Sequence, residues 1–173
     1  MYHDIVKNVH ADSKYEYVSL DELCAQSDIL ICMCSLTKET EGKLFNIHLL
    51  QKIIHRMLKS KIKYLKGYFN MKVFQKMKKN AVFINVSRGP VVNQTDLALA
   101  LKNNVIAAAG LDVTVPEPLP KENELYSLKN CYITPHIASA DTILRTKMFN
   151  ITFQNILNGL NGVPLVSEIK HTE

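Results

Sequence analysis

Four side chains that could handle a small acid stand just past apolar runs: Arg88, Asp112, Glu117 and His136. Ala81-Val82-Phe83-Ile84-Asn85-Val86 ends abruptly at Ser87-Arg88-Gly89-Pro90, which reads as a buried strand delivering one arginine to a turn. Ala107-Ala108-Ala109-Gly110-Leu111 delivers Asp112, and Pro116-Glu117-Pro118 follows, with a glutamate between two prolines. Cys131-Tyr132-Ile133-Thr134-Pro135 delivers His136. In an open parallel α/β sheet, ligands bind in the crevice outside the carboxyl ends of the strands. Successive strand ends would therefore bring these four groups to one crevice. There they make a cation for a carboxylate, a proton donor, and a carboxylate to orient that donor. Each alone has an ordinary reading, as a solvated turn residue, a structural histidine or a cap. Their joint appearance at three strand ends is what points to a catalytic constellation.

The elements that would position them alternate strand and helix, which argues for a parallel sheet. Tyr15–Val18 is a short strand candidate. Ser19-Leu20-Asp21-Glu22 is a capping box that predicts a short helix ending near Ser27. Asp28–Cys34 reads as a buried strand. Val73–Lys79 predicts a helix, Ala81–Ser87 a strand, and Thr95–Asn103 a helix capped by Asn93 or Thr95. Ile106–Val113 is a strand continuous in small apolar residues, as a sheet covered on both faces requires. A brief helical turn is expected at Leu125–Leu128 and the last strand at Asn130–Thr134. A long helix from Ser139 or Asp141 should stop at Gly159, with an extended tail from Gly162.

The segments Asn85-Val86-Ser87-Arg88-Gly89, Gly110-Leu111-Asp112-Val113-Thr114-Val115-Pro116-Glu117-Pro118-Leu119-Pro120 and Thr134-Pro135-His136-Ile137-Ala138-Ser139 resemble the D-2-hydroxyacid dehydrogenases. Within that family they are most similar to the glyoxylate/hydroxypyruvate reductase branch. The resemblance covers roughly residues 15–46 and 70–170. It implies a partial Rossmann-type coenzyme domain that binds NADP or NAD and transfers a hydride to a small 2-oxo acid. By matching position, Arg88 would bind the substrate carboxylate, His136 would be the acid/base, and Glu117 would pair with His136. Asp112 would lie near the nicotinamide carboxamide. Ser35, Val86, Ala138 and Ser139 would be further cofactor contacts, Ser35 with the equal alternative of an ordinary strand-ending serine. The family's dimers imply a homodimer or heterodimer through this domain.

None of the six glycines forms the G-x-G-x-x-G that cradles a pyrophosphate. The first βαβ unit and nearly all of a substrate domain are expected to be missing, with residues from about 160 to 173 belonging to that domain. Cofactor affinity is expected to be weak and the chain inactive alone. The alternative is a non-catalytic binding module or dimerisation partner using the half-fold surface.

The family pattern has no counterpart to residues 47–69. Ile47, Leu50, Ile54, Met57, Leu58, Ile62 and Leu65 recur at helical spacing, among Lys52, Arg56, Lys59, Lys63 and Lys66. This predicts an inserted basic amphipathic helix away from the crevice. It is flanked by two Phe-Asn dipeptides, at Phe45-Asn46 and Phe69-Asn70, either of which could be the join. The segment reads as a helix docked on the body, as an excursion from a mis-assembled reading frame, or as a surface for an anionic membrane or calmodulin-like partner.

Residues 42–95 hold 12 of the 21 Lys and Arg and no acid, so the net charge of +5 is local and the remaining body is acidic. No nucleic-acid partner is expected, and membrane contact is the least favoured reading of the basic helix. At 173 residues and 47% hydrophobic, the chain suits one globular domain. No run approaches the ~20 apolar residues of a membrane span, and Met1–Ile5 is not a signal sequence. A cytoplasmic location is the default. Cys24, Cys32, Cys34 and Cys131 lack zinc-site spacing and read as buried reduced thiols. The histidines other than His136 read as surface residues.

Overall fold

The computed structural model of the chain describes residues 1–4, 12–33 and 67–167. It divides into two compact units, Met1–Pro135 and His136–Glu173. The expectations for Cys34, Ser35, Asn46 and residues 47–66 lie outside the described residues.

The first unit is a four-stranded sheet with neighbours in the order β1-β2-β3-β4: Ile29–Cys32, Val82–Asn85, Ala108–Leu111 and Cys131–Ile133. All three pairings are parallel. Parallel neighbours need a crossover between them. Helix α2 (Met71–Phe74) precedes β2, and α3 (Gln94–Lys102) links β2 to β3. A 3-10 turn at Glu124–Ser127 precedes β4.

Side chains on one sheet face (Leu30, Cys32, Phe83, Ala109, Leu111) share a single buried cluster with Cys24 of α1 (Leu20–Gln26), Phe74 of α2, and Leu97 and Leu101 of α3. Phe83 sits at its centre, 5.0 Å from the Phe69 ring and 5.4 Å from Phe74. Strand alternation sends the intervening residues to the other face. There Ile29, Ile31, Met33 and Tyr132 are exposed. On the same face Val82, Ile84 and Ala108 of the inner strands are half-buried, so the expectation of a sheet covered on both faces fails at the edge strands β1 and β4. The continuous apolar run was read as two-sided burial, but the helices that fill this core all lie against one side of it.

Local signals fixed most boundaries. Ser19 caps α1, accepting from Glu22 N–H at 3.2 Å. Glu22, the other half of the expected box, accepts from Gln26 instead. Asn93, not Thr95, caps α3. The α3 exit is a Schellman turn with Asn104 at φ 51, closed by Val105 N–H on Ala100 O and Asn104 N–H on Leu101 O. The helix expected over 73–79 begins earlier and is shorter. After Phe74 it tightens into 3-10-type bonds, Lys76 N–H to Val73 O and Met77 N–H to Phe74 O, which turn Met77 into the core.

Asn70, of the second Phe-Asn pair, caps α2, accepting from Lys72 N–H. Phe69 is buried and bridges Val92, and Gly67-Tyr68 form a turn, with Gly67 at φ 101, rather than the end of an inserted helix. Tyr15–Val18 supplies only the bridge of Tyr17 to Tyr2, a pairing the polar first residues did not announce. His3 is not a free surface residue: its Nδ1 lies 2.9 Å from Val18 O and its ring stacks on Tyr17. Cys24 and Cys32 are buried and Cys131 half-buried, all three as free thiols. Burial pushes Cys24 and Cys131 up to about 11.

The second unit is built on α4 (Thr142–Leu160), capped by Asp141 through Leu144 N–H. The helix runs past Gly159, correcting the expected stop. Its Schellman turn uses Gly162, at φ 68, with Val163 N–H on Asn158 O and Gly162 N–H on Gly159 O. Residues 163–167 then fold back along the helix: Asn158 Nδ2 donates to Pro164 O, and Asn155 Oδ1 accepts from Val166 N–H. No helix among the described residues is long and apolar enough to cross a membrane.

Candidate functional site

The site is built on the carboxyl rim of β2, β3 and β4. Register pairs Asn85 with Leu111 and Leu111 with Ile133, so the residues just beyond them stand level. Asp112 N–H donates to Asn85 O, and Thr134 N–H to Leu111 O.

Asn85, the lone polar side chain at the end of an apolar strand, is 1% exposed. Its Oδ1 accepts from both Ser87 N–H and Ser87 Oγ, and its Nδ2 donates to Arg88 O at 3.1 Å. A buried amide of this kind must be fully bonded. Asn85 meets that demand by drawing the chain into the turn that carries Arg88. Cys32 Sγ backs the turn, 3.2 Å from Ser87 Oγ. Arg88 is exposed, with Nη1 donating to Ser87 O at 2.6 Å. Val86 is half-buried and donates its N–H to Cys32 O.

Gly89 lies directly against the β3 loop. A Cβ at Gly89 would overlap the Thr114 carbonyl and come within 2.9 Å of Val115 Cγ2. Close backbone approach therefore requires glycine here. The Arg88 turn and the loop that carries Glu117 are thus packed peptide against peptide.

Asp112 is 6% exposed, and its Oδ1 accepts from Thr134 Oγ1 at 2.6 Å. Glu117 is exposed, and its Oε1 accepts from Thr114 N–H at 3.0 Å. Thr114 Oγ1 donates to Pro116 O. The Val115-Pro116 and Glu117-Pro118 peptide bonds are both cis.

Among the expected residues, then, the structure places Arg88, Val86, Asp112 and Glu117 in the first unit. His136, Ala138 and Ser139 open the second. His136 is exposed, with φ 55, a left-handed conformation uncommon outside glycine. Ala138 is exposed, and Ser139 is half-buried with its carbonyl accepting from Arg145 Nε. Sequence reasoning missed Asn85, Thr114 and Thr134 as parts of the rim. Only Asn85 carried a signal, as a polar residue closing an apolar run.

A parallel sheet with flanking helices, bearing a charged carboxyl rim, defines a Rossmann-type nucleotide-binding domain. The chain belongs to the D-isomer specific 2-hydroxyacid dehydrogenase family, matching its NAD binding domain over residues 1–58 and 58–138. It is 47% identical over 160 residues to the glyoxylate reductase/hydroxypyruvate reductase of Homo sapiens, covering 92% of this chain and 41% of that protein. It is 35% identical over 164 residues to the hydroxypyruvate reductase of Blautia hydrogenotrophica, covering 94% and 43%. The chain thus spans less than half the length of these curated relatives. Among solved structures it resembles the TT0316 protein of Thermus thermophilus, with a TM-score of 0.70 and 32% identity over 98% of this chain and 45% of that one. It also resembles an NADPH-dependent glyoxylate/hydroxypyruvate reductase of Sinorhizobium meliloti, crystallised with NADP and malonate (TM-score 0.71, 26% identity, 97% and 44% covered).

Proposed function

We propose that this chain carries the carboxylate-gripping and proton-transferring part of a 2-oxo acid reductase site of the glyoxylate/hydroxypyruvate type. The observation that carries the reading is the level carboxyl rim of β2, β3 and β4, from which Arg88, Asp112 and the Thr134-Pro135-His136 segment leave. Arg88 takes the substrate carboxylate, since a planar guanidinium matches it in two-point register. His136 gives its proton to the oxygen of the reduced carbonyl, and Glu117 would be its carboxylate partner, as the family pattern implies. The left-handed backbone of His136 supports a positioned role, because such conformations cluster at functional sites.

When bound, a nicotinamide supplies the hydride. The rim fits the nicotinamide end: Asp112 is a buried carboxylate suited to an amide, with Val86 beside it; Ser35, Ala138 and Ser139 would be further contacts only as the family pattern implies. No G-x-G-x-x-G occurs in this sequence to hold a pyrophosphate. Binding of NADP or NAD is therefore weak and turnover by this chain alone negligible. We place it in the cytoplasm.

The test uses the purified chain. Oxalate, a planar 2-oxo acid mimic, shifts NMR signals of Arg88 and His136, and Arg88→Met abolishes the effect. Oxalate binding that Arg88→Met leaves intact would remove the reading. Measurable NADPH-dependent reduction of hydroxypyruvate would overturn the inactivity.

One observation favours a second reading, a dimerisation or binding module. It is the apolar sheet face of Ile29, Ile31, Met33 and Tyr132, exposed among the described residues.

A further inference from the structure

We infer that Gln94 is a positioning residue that sets the Glu117 carboxylate against the Arg88 turn; this rests on the reductase reading above. The loop that bears Glu117 cannot be held by ordinary backbone pairing. Pro116 and Pro118 have no N–H, so a donor is lost on each side of Glu117. Val115 is the last residue before this run with both a backbone donor and an acceptor to satisfy. Gln94, in the first turn of α3, takes both. Its Nε2 donates to Val115 O at 3.0 Å, and its Oε1 accepts from Val115 N–H at 3.0 Å. A primary amide is the one side-chain group that offers a donor and an acceptor side by side in this way. Asparagine would be a methylene short.

The consequence reaches both charged groups. Thr114, peptide-bonded to Val115, holds Glu117 Oε1 through its N–H, and its carbonyl is the surface on which Gly89 lies, next to Arg88. Fixing the Val115 peptide therefore fixes Thr114, and with it the spacing of the arginine turn and the glutamate. Gln94 belongs to the same stretch of chain as Arg88, separated by the 3-10 turn Gly89–Val91 and the cap Asn93. The clamp thus closes a ring: Arg88 turn, α3 start, Val115, Thr114, and back to Gly89. Gln94 need touch neither substrate nor cofactor to act this way.

The experiment compares the full chain with Gln94→Met, which has similar length and neither bond, and Gln94→Glu, which keeps the acceptor and loses the donor. Two readouts are taken by NMR: the movement of the Thr114 amide proton as Glu117 titrates, and the Kd for oxalate. In the unaltered chain the Thr114 signal follows Glu117 ionisation through their hydrogen bond. In Gln94→Met that movement falls about threefold or more and the oxalate Kd rises about tenfold, the scale of one lost hydrogen bond. Gln94→Glu falls between. A residue that only added stability would lower the melting temperature and leave the Thr114 titration unchanged. A folded Gln94→Met with unaltered Thr114 titration overturns the inference. If Gln94→Met does not fold, Gln94→Glu decides by the same criterion. If the unaltered chain binds no oxalate, the reductase reading is at fault, and the Thr114 titration alone decides the role of Gln94.

Discussion

At the scale of residues, the rim is made by polar groups that bond one another, some within a turn of chain and one between the ends of β3 and β4. Asn85 shapes the Arg88 turn, Thr134 bonds Asp112, and Thr114 bonds Glu117. For two of the thiols, burial is the dominant influence. Burial raises Cys24 and Cys131 to about 11 against an ordinary value of 9.0, with Asp21 adding to the effect on Cys24. Since the folded value lies above the unfolded one, their contribution to stability is complete below pH 9. Between about pH 9 and 11 the unfolded chain ionises its thiols while the folded chain does not, and the contribution is lost. The melting temperature should therefore fall over that window more steeply in the unaltered chain than in a Cys24→Ala, Cys131→Ala double variant. Equal slopes by thermal melts at pH 8, 9, 10 and 11 would refute this.

At the scale of elements, three helices and the turn after β2 are tied by side chains standing at helix starts. Ser19, Asn70 and Asn93 cap α1, α2 and α3. Asp96, in the first turn of α3, accepts from Met71 N–H at the start of α2. The tightest join is backbone on backbone, Gly89 against Thr114. A methyl group there has no flexible neighbour to push aside, since the obstructing atom is a carbonyl. Overfilling of this kind costs about 1–3 kcal/mol. Gly89→Ala should lower the urea midpoint accordingly, whereas Gly110→Ala, whose added carbon would meet Ile84 Cγ1 at an ordinary 3.8 Å, should cost less. Equal midpoints for the two variants would show that the rim is looser than drawn. The ion pairs Lys76–Asp21, Lys78–Asp28 and Lys102–Glu124 are solvent-exposed and add little beside these joins.

At the scale of the molecule, the described sheet has a filled face and one on which β1 and β4 expose apolar residues. Parallel sheets are ordinarily covered on both sides. Ile29 at 59% and Tyr132 at 74% exposure leave apolar surface in water, and β1 to β4 hold no charged residue to solvate it. Surface of that kind favours association. Sedimentation velocity should show the chain associating at tens of micromolar, and Ile31→Lys with Tyr132→Lys should restore the monomer. A monomer at every concentration before any substitution would remove the dimerisation reading.

The sequence by itself determined the order and kind of most described elements, with strand ends a residue or two beyond those observed. These follow from local causes: apolar runs that must be buried, caps at Ser19 and Asn93, and turns where Gly and Pro fall. Arg88 and Asp112 were legible as rim residues for the same reason, as polar residues placed where an apolar run stops; Glu117 and His136 belong to the proposed site. Only the tertiary structure decided which groups satisfy one another. The pairing of Gln94 with Val115, of Thr134 with Asp112, and the contact of Gly89 with Thr114 depend on how strands register and how loops cross, which no local pattern encodes. The same holds for the exposed side of β1 and β4: an apolar strand reads alike whether one side or both are covered, because what covers it is contributed by residues elsewhere.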